Sequence, residues 1–117
     1  MIFMENNFPF DEIMNDLDLA IRLRDEGEFG KSRVCARKAA GKAVRFKLIQ
    51  SFSVIPDALD PYSAIRLYQK TLREDDPLIP HLKILQMRVD KDFNLPDEID
   101  ILFSAKFVIT QIINEGS

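Results

Sequence analysis

Apolar residues recur every three or four positions in five successive stretches of the chain, which is the spacing of one face of an α-helix. The first predicted helix runs from residue 11 to near residue 27, and the second from residue 30 to about residues 51–53. The third is capped by Asp60, has Pro61 in its first helical position and stops at residues 74–77. The fourth is marked by residues 78–89, and the last starts at residue 97. No stretch alternates as a strand would, and the connections are short. The pattern predicts one all-α domain over residues 1–117, an up-and-down antiparallel bundle of four long helices and one shorter helix.

The second predicted helix has the most distinctive pattern. Residues 30–50 contain no proline and no acid, and they carry seven of the sixteen Lys and Arg residues of the chain. At about 100° per residue, one face of this helix is apolar and rich in alanine: Cys35, Ala36, Ala39, Ala40, Ala43, Val44 and Phe46. Alanine allows neighbouring helices to approach closely, so this helix is predicted to lie in the middle of the bundle. The opposite side carries four cations, here called the basic stripe: Lys31, Lys38, Lys42 and Arg45.

Composition and charge narrow the possible classes of protein. The chain has 117 residues, of which 46% are hydrophobic and 30% charged, and a formal net charge of −3, so it has no overall attraction for nucleic acid or anionic membrane. A single cysteine excludes an intramolecular disulfide, and one His with one Cys cannot form a zinc or iron site. The first ten residues lack the features of a signal peptide, and no apolar run reaches the ~20 residues of a membrane span. We expect a cytoplasmic protein with no cofactor, no bound metal and no membrane association.

Residues 27–43 resemble the signature of HEPN domains. In that family a turn of the type G-[DE]-aromatic precedes an Ala-rich helix of the form A-x-x-x-A-A-x-K-A. The turn is present as residues 27–29, Gly41 stands where an acid is usual, and five residues match the helix form: Ala36, Ala39, Ala40, Lys42 and Ala43. The resemblance implies an all-helical, commonly dimeric protein of this length. It also allows an accessory role beside a separately encoded nucleotidyltransferase.

Many HEPN proteins are ribonucleases, with an Arg and a His separated by about four to six residues near a dimer interface. This chain departs from that motif. Its one His is His81, and seven residues, among them three acids and two prolines, separate it from Arg73. The family's catalytic assignment therefore does not transfer to Arg73 and His81, and the resemblance points to the non-catalytic members.

The basic stripe has two interpretations that the sequence leaves open. Lys31, Lys38, Lys42 and Arg45 could hold the phosphates of a nucleotide or an RNA backbone. The chain has no glycine-rich phosphate loop, however, and the sequence predicts no aromatic side chain beside the stripe for base stacking. The alternative is a solvent-facing edge that acids of the neighbouring helices neutralise.

Three other groups could carry chemistry, and each has a structural alternative. His81 could be a general base or a satisfied histidine at the edge of the core. Cys35 could be a nucleophile, but its place among the alanines favours packing. Five acids could bind Ca²⁺ or Mg²⁺ but do not follow an EF-hand order and fit a solvated surface better: Asp90, Asp92, Asp97, Glu98 and Asp100.

The last helix carries more apolar surface than one bundle core needs. An inward face of Ile99, Leu102, Ala105, Ile109 and Ile112 leaves a second row partly outside, and two phenylalanines widen the apolar sector. The sequence therefore predicts a homodimer interface, formed by Ile101, Phe103, Phe107 and Val108. The favoured hypothesis is a non-catalytic HEPN-like module that acts by homodimerisation or by docking to a protein partner. The alternative is a ribonuclease of the same family with a degraded or relocated site.

Overall fold

The computed structural model describes residues 8–52, 59–87 and 100–115. Within these ranges the chain forms α-helices and no β-strand, so the prediction of an all-α protein is confirmed. The helices are α1 (Phe10–Asp25), α2 (Phe29–Ser51), α3 (Pro61–Thr71), α4 (Ile79–Leu85) and α5 (Ile101–Glu115). The longest is α2, with 23 residues, and α4, with 7 residues, is the shortest of them. The predicted start of the last helix at residue 97 lies outside the described residues.

A tight turn joins α1 to α2, as the glycine there predicts. Gly27 has a φ of +84°, a left-handed conformation that side chains disfavour. The Gly27 amide donates to the Arg24 carbonyl at 3.0 Å, and the Glu28 amide donates to the Leu23 carbonyl at 2.8 Å. Beyond the turn, the Ser32 hydroxyl donates to the Ala20 carbonyl at 2.6 Å, which ties α2 to α1 at a buried position.

The second helix lies at the centre of the fold, where its alanine-rich face predicts it. It packs against α1, α3 and α5. Ala36, Ala39, Ala40 and Ala43 are fully buried, and Phe46 at the end of the same face is half-buried, with its ring edge-to-face against Phe8 at 5.0 Å. The small side chains therefore have the predicted effect: they allow other helices to approach α2 from several directions.

Gly41 is a point of close approach between α2 and α3. A Cβ atom at this position would lie 2.5 Å from Pro61 Cβ and 2.6 Å from Pro61 Cα, closer than packed atoms tolerate. The acid that the HEPN signature usually carries here would therefore collide with the first turn of α3. Gly41 is required by the contact rather than by helix formation, which glycine disfavours.

The start of α3 follows the capping pattern that the sequence predicts. The Asp60 carboxylate accepts a hydrogen bond from the Ser63 amide at 2.7 Å, and Pro61 occupies the first turn. The hydrogen bond from the Ser63 amide, with a further one from the Ser63 side chain, holds the pKa of Asp60 below its usual value. The cap fixes where α3 begins and so places Pro61 against Gly41.

The fourth helix ends earlier than the sequence predicts. Its pattern continues to residue 89, but the helix closes at Leu85, and the Met87 amide donates to the Ile84 carbonyl at 3.1 Å in a tightened last turn. Side chains from two other helices bind the carbonyl groups at this end, as described below. The prediction was therefore wrong for residues 86 and 87, whose carbonyl groups accept hydrogen bonds from Tyr62 and Arg37, and residues 88–89 lie outside the described residues.

The fifth helix is buried on a wider arc than predicted, and this corrects half of the predicted dimer interface. Val108 is fully buried and Ile101 is 3% exposed, so neither lies on the surface of the chain. The physical reason is that α5 packs against both α2 and α4, so a wider arc of its surface is buried than one core face would require. Phe103 remains exposed and Phe107 is half-buried.

None of the helices in the described part of the chain combines the length and apolar character needed to cross a bilayer.

Candidate functional site

His81 is held at the edge of the core by α5. Its Nδ1 atom lies 3.0 Å from the hydroxyl oxygen of buried Ser104, and its ring stacks on Phe107 with 4.3 Å between centroids. Arg73 lies just after α3, where its side chain is 88% exposed and pairs with Asp75 at 3.5 Å. His81 thus has the satisfied structural environment that one of its two interpretations predicts, whereas Arg73 extends into solvent.

Three ring side chains form one surface across α4 and α5, here called the aromatic surface: His81, Phe103 and Phe107. Phe103 is 57% exposed, and its ring centroid lies 5.8 Å from that of His81 and 6.5 Å from that of Phe107. Two of the four residues predicted for a dimer interface, Phe103 and Phe107, belong to this surface. The buried Ile101 and Val108 do not.

The four cations of the basic stripe do not share one environment. Lys42 Nζ lies 2.9 Å from Asp16 Oδ2 and 3.3 Å from Glu12 Oε1, both on α1. The hydrogen bond with Asp16 raises the pKa of Lys42 above its ordinary value, with Glu12 adding to the effect while burial opposes it. For Lys42, the neutralised-edge interpretation describes the structure. Lys31 and Lys38 are exposed and Arg45 is half-buried, so for these three a phosphate-binding role stays a prediction.

A groove of about 470 Å³ lies between α2 and the start of α3. Its walls combine apolar, cationic and aromatic side chains with the capping carboxylate: Val34, Arg37, Lys38, Asp60, Pro61 and Tyr62. We call this the α2–α3 groove. It places Lys38 of the basic stripe beside Tyr62. The sequence did not predict an aromatic side chain near the stripe; Tyr62 lies there because α3 crosses α2 at Gly41 and brings its second residue alongside.

Arg37 and Tyr62 anchor one wall of the groove to the end of α4. Arg37 Nε donates to the Leu85 carbonyl at 2.6 Å and Arg37 Nη2 donates to the Met87 carbonyl at 2.9 Å. The Tyr62 hydroxyl donates to the Gln86 carbonyl at 2.6 Å. Carbonyl groups at a helix end have no partner within the helix, so these donors satisfy them. The arrangement holds three helices in register around the groove.

Two guanidinium groups approach the Tyr62 ring. The Cζ atoms of Arg37 and Arg66 lie 5.9 Å and 5.2 Å from the ring centroid, within the range of cation–π interaction. The sequence pattern did not single out Arg37, Tyr62 or Arg66. Periodicity carries no signal for these roles, since they depend on where α4 ends relative to α2 and α3.

Of the other candidate groups, those that the structure describes form no ligand site. Cys35 is a half-buried free thiol packed against the core, as the packing interpretation predicts. Asp90, Asp92, Asp97 and Glu98 lie outside the described residues, and Asp100 accepts a hydrogen bond from the Phe103 amide at 3.0 Å, as a helix cap does. Among the residues that the structure describes, no three His, Cys, Asp or Glu side chains group as a metal ion requires.

Comparison of the chain with protein-family models, curated proteins and solved structures gives no match. The resemblance to HEPN domains therefore rests on residues 27–43 and the helical architecture, and it stays a prediction.

Proposed function

We propose that this chain is a non-catalytic, HEPN-like helical module of the cytoplasm that works by binding, and that it self-associates through the aromatic surface. The proposal includes the antiparallel arrangement of four longer helices around the short α4. The observation that carries it is Phe103, a large apolar side chain that is 57% exposed on α5 and continuous with Phe107 and His81.

Binding is favoured over catalysis by the state of the groups that could do chemistry. His81 is engaged with Ser104 and Phe107, and the exposed Arg73 pairs with Asp75. General acid–base catalysis needs a group positioned to reach a substrate proton. No specific observation favours the alternative of a ribonuclease with a relocated site.

The aromatic surface is suited to bind a second copy of this chain. In a two-fold contact both copies use the same surface, so a surface that carries charge of one sign would repel its copy. Between Ile101 and Asn114, α5 carries one charged residue, Lys106. Aromatic rings are also enriched at the centres of protein interfaces, where they bury much area for little lost side-chain entropy. A nearly uncharged helix face with an exposed phenylalanine therefore favours self-association.

The test is the mass of the protein in solution, measured by light scattering after size exclusion. We expect the parent to have twice the 13.5 kDa of one chain, and Phe103→Glu to return it to a single chain with unchanged helical content. Phe29→Glu is the matched control, because Phe29 is also 57% exposed but lies at the start of α2. A parent of single-chain mass would refute self-association. A dimer that Phe29→Glu splits and Phe103→Glu does not would place the interface elsewhere.

A further inference from the structure

The α2–α3 groove has an apolar wall surrounded by cations. Val34 is 59% exposed, and Pro61 and Tyr62 line the same groove. Lys38 is exposed in the same wall, one helical turn from Val34, and Lys31 is exposed one turn on the other side. Arg66, also exposed, stands over the Tyr62 ring. The groove therefore offers a place for an apolar side chain with positive charge on both sides.

The charge of this surface is opposite to that of the whole chain. Among the residues that the structure describes, Asp60 is the one carboxylate in the wall of the groove, and it is committed to the cap of α3, with bonds of 2.7 Å and 3.3 Å to the Ser63 amide and hydroxyl. The cations of the groove are held on a chain with a net charge of −3. A local positive field of this kind selects an anionic partner and accelerates its encounter.

From this combination we infer that the α2–α3 groove is a docking site for an acidic segment of a partner protein, a segment that also carries a large apolar side chain. The acids would pair with Lys31, Lys38 and Arg66, and the apolar side chain would cover Val34 and Pro61. This names a partner chemistry for the binding module proposed above. It uses a surface other than the aromatic one and does not depend on dimer formation.

Tyr62 and Asp60 favour a peptide over a nucleic acid. Single-stranded nucleic acids bind by stacking bases on aromatic faces, but the Tyr62 ring is approached by two guanidinium groups and its hydroxyl is bonded to Gln86. The Asp60 carboxylate would repel a backbone that carries a charge at every nucleotide. A peptide can place its acids beside Lys38 and Arg66 and leave a neutral residue at Asp60.

The groove is held in shape before any partner arrives. Arg37 and Tyr62 fix its wall to α4 through hydrogen bonds of 2.6–2.9 Å, and Pro61 is seated against Gly41. A rigid site loses little conformational entropy on binding, so modest contacts yield measurable affinity.

Fluorescence anisotropy with short labelled probes tests the inference. The probes are a peptide of alternating glutamate and leucine, one of glutamate and serine, one of lysine and leucine, and an oligouridylate. We expect the glutamate–leucine peptide to bind best, and its affinity to fall as salt rises. Preference for the oligouridylate would overturn the inference in favour of nucleic acid. If the glutamate–serine peptide bound equally well, the inferred role of an apolar side chain would be wrong. If none of the probes bound, the docking site itself would be refuted.

Variants locate the binding surface. Lys38→Glu and Arg66→Glu should each lower the affinity for the glutamate–leucine peptide by about tenfold or more, because each replaces an attraction by a repulsion. Lys106→Glu is the matched control, an equal charge reversal at an exposed lysine of α5, and should change the affinity by less than about twofold. Equal losses in all three would show a general charge effect and refute the site. Lys38→Ala, a milder change, should weaken binding less than Lys38→Glu does.

Measuring the same titration with Phe103→Glu separates this inference from the proposed self-association. The groove should bind the peptide with unchanged affinity in a monomeric variant. Loss of binding in Phe103→Glu would contradict the assignment to the α2–α3 groove, whereas a monomeric parent that still binds the peptide would leave the groove standing and refute the dimer alone.

Discussion

Replacing Gly41 by alanine tests the packing on which the fold and the α2–α3 groove depend. In an exposed helix this change stabilises by up to about 1 kcal/mol, because alanine forms helix better than glycine. Here the new Cβ would lie 2.5 Å and 2.6 Å from Pro61 Cβ and Cα. The Cα belongs to the backbone at the start of α3, so relief requires α3 to move rather than one side chain to rotate.

The magnitude follows from the balance of these two effects. Overpacking a close contact costs about 1–3 kcal/mol. In this protein that cost includes the loss of contacts between α3 and α2. This cost outweighs the gain in helix propensity, and we expect Gly41→Ala to lower the free energy of unfolding by about 1–2 kcal/mol. For a domain of this size that corresponds to a fall in Tm of about 4–8 °C.

Gly30→Ala is the matched control. Gly30 is also a glycine of α2, but a Cβ there meets no atom within 4 Å. We expect it to leave the free energy of unfolding unchanged or to raise it slightly. Urea unfolding followed by circular dichroism measures both variants against the parent, with the m-value reporting whether the transition stays cooperative. A Gly41→Ala variant as stable as Gly30→Ala would refute the close approach of α3 to α2.

Two further predictions concern titration and catalysis. Burial, with the charges of Glu115 and Asp76 adding to it, raises the pKa of Tyr68 to about 12. The native state then keeps a proton that the unfolded state loses near pH 10, so the stability from Tyr68 is complete below pH 10 and is lost as the pH rises towards 12. The resulting loss in the free energy of unfolding is about 2–3 kcal/mol. When unfolding in urea is measured between pH 9 and pH 12, the free energy of unfolding of Tyr68→Phe should therefore fall less than that of the parent. An identical fall in both proteins would contradict the burial of the phenol. We also expect no cleavage of structured or single-stranded RNA above background by the purified protein, and cleavage that His81→Ala abolishes would restore the ribonuclease alternative.

The sequence by itself determined the helices and their local chemistry. Spacings of three and four residues marked every helix that the structure describes, and glycine at position 27 marked the tight turn before α2. Asp60 and Pro61 were sufficient to predict the start of α3, because a cap and a first-turn proline act within a few residues of each other. The alanines of α2 also indicated a central helix, since small side chains on one face are useful only where other helices approach.

The tertiary structure decided which surfaces are free. Periodicity shows that Ile101 and Val108 share a row on α5, but only the packing of α5 against α2 and α4 shows that these two residues are buried. Lys42 belongs to the basic stripe by its angle on α2, yet Asp16 and Glu12 of α1 neutralise it.

The α2–α3 groove depends on a crossing that no local pattern encodes. Gly41 admits Pro61, the crossing brings Tyr62 beside Lys38, and the end of α4 engages Arg37. Helix formation depends on residues a few positions apart, whereas these contacts join residues about 20 to 50 positions apart through the relative placement of whole helices. For that reason the helices could be derived from the chain as written, and the candidate site could be found only once they were packed together.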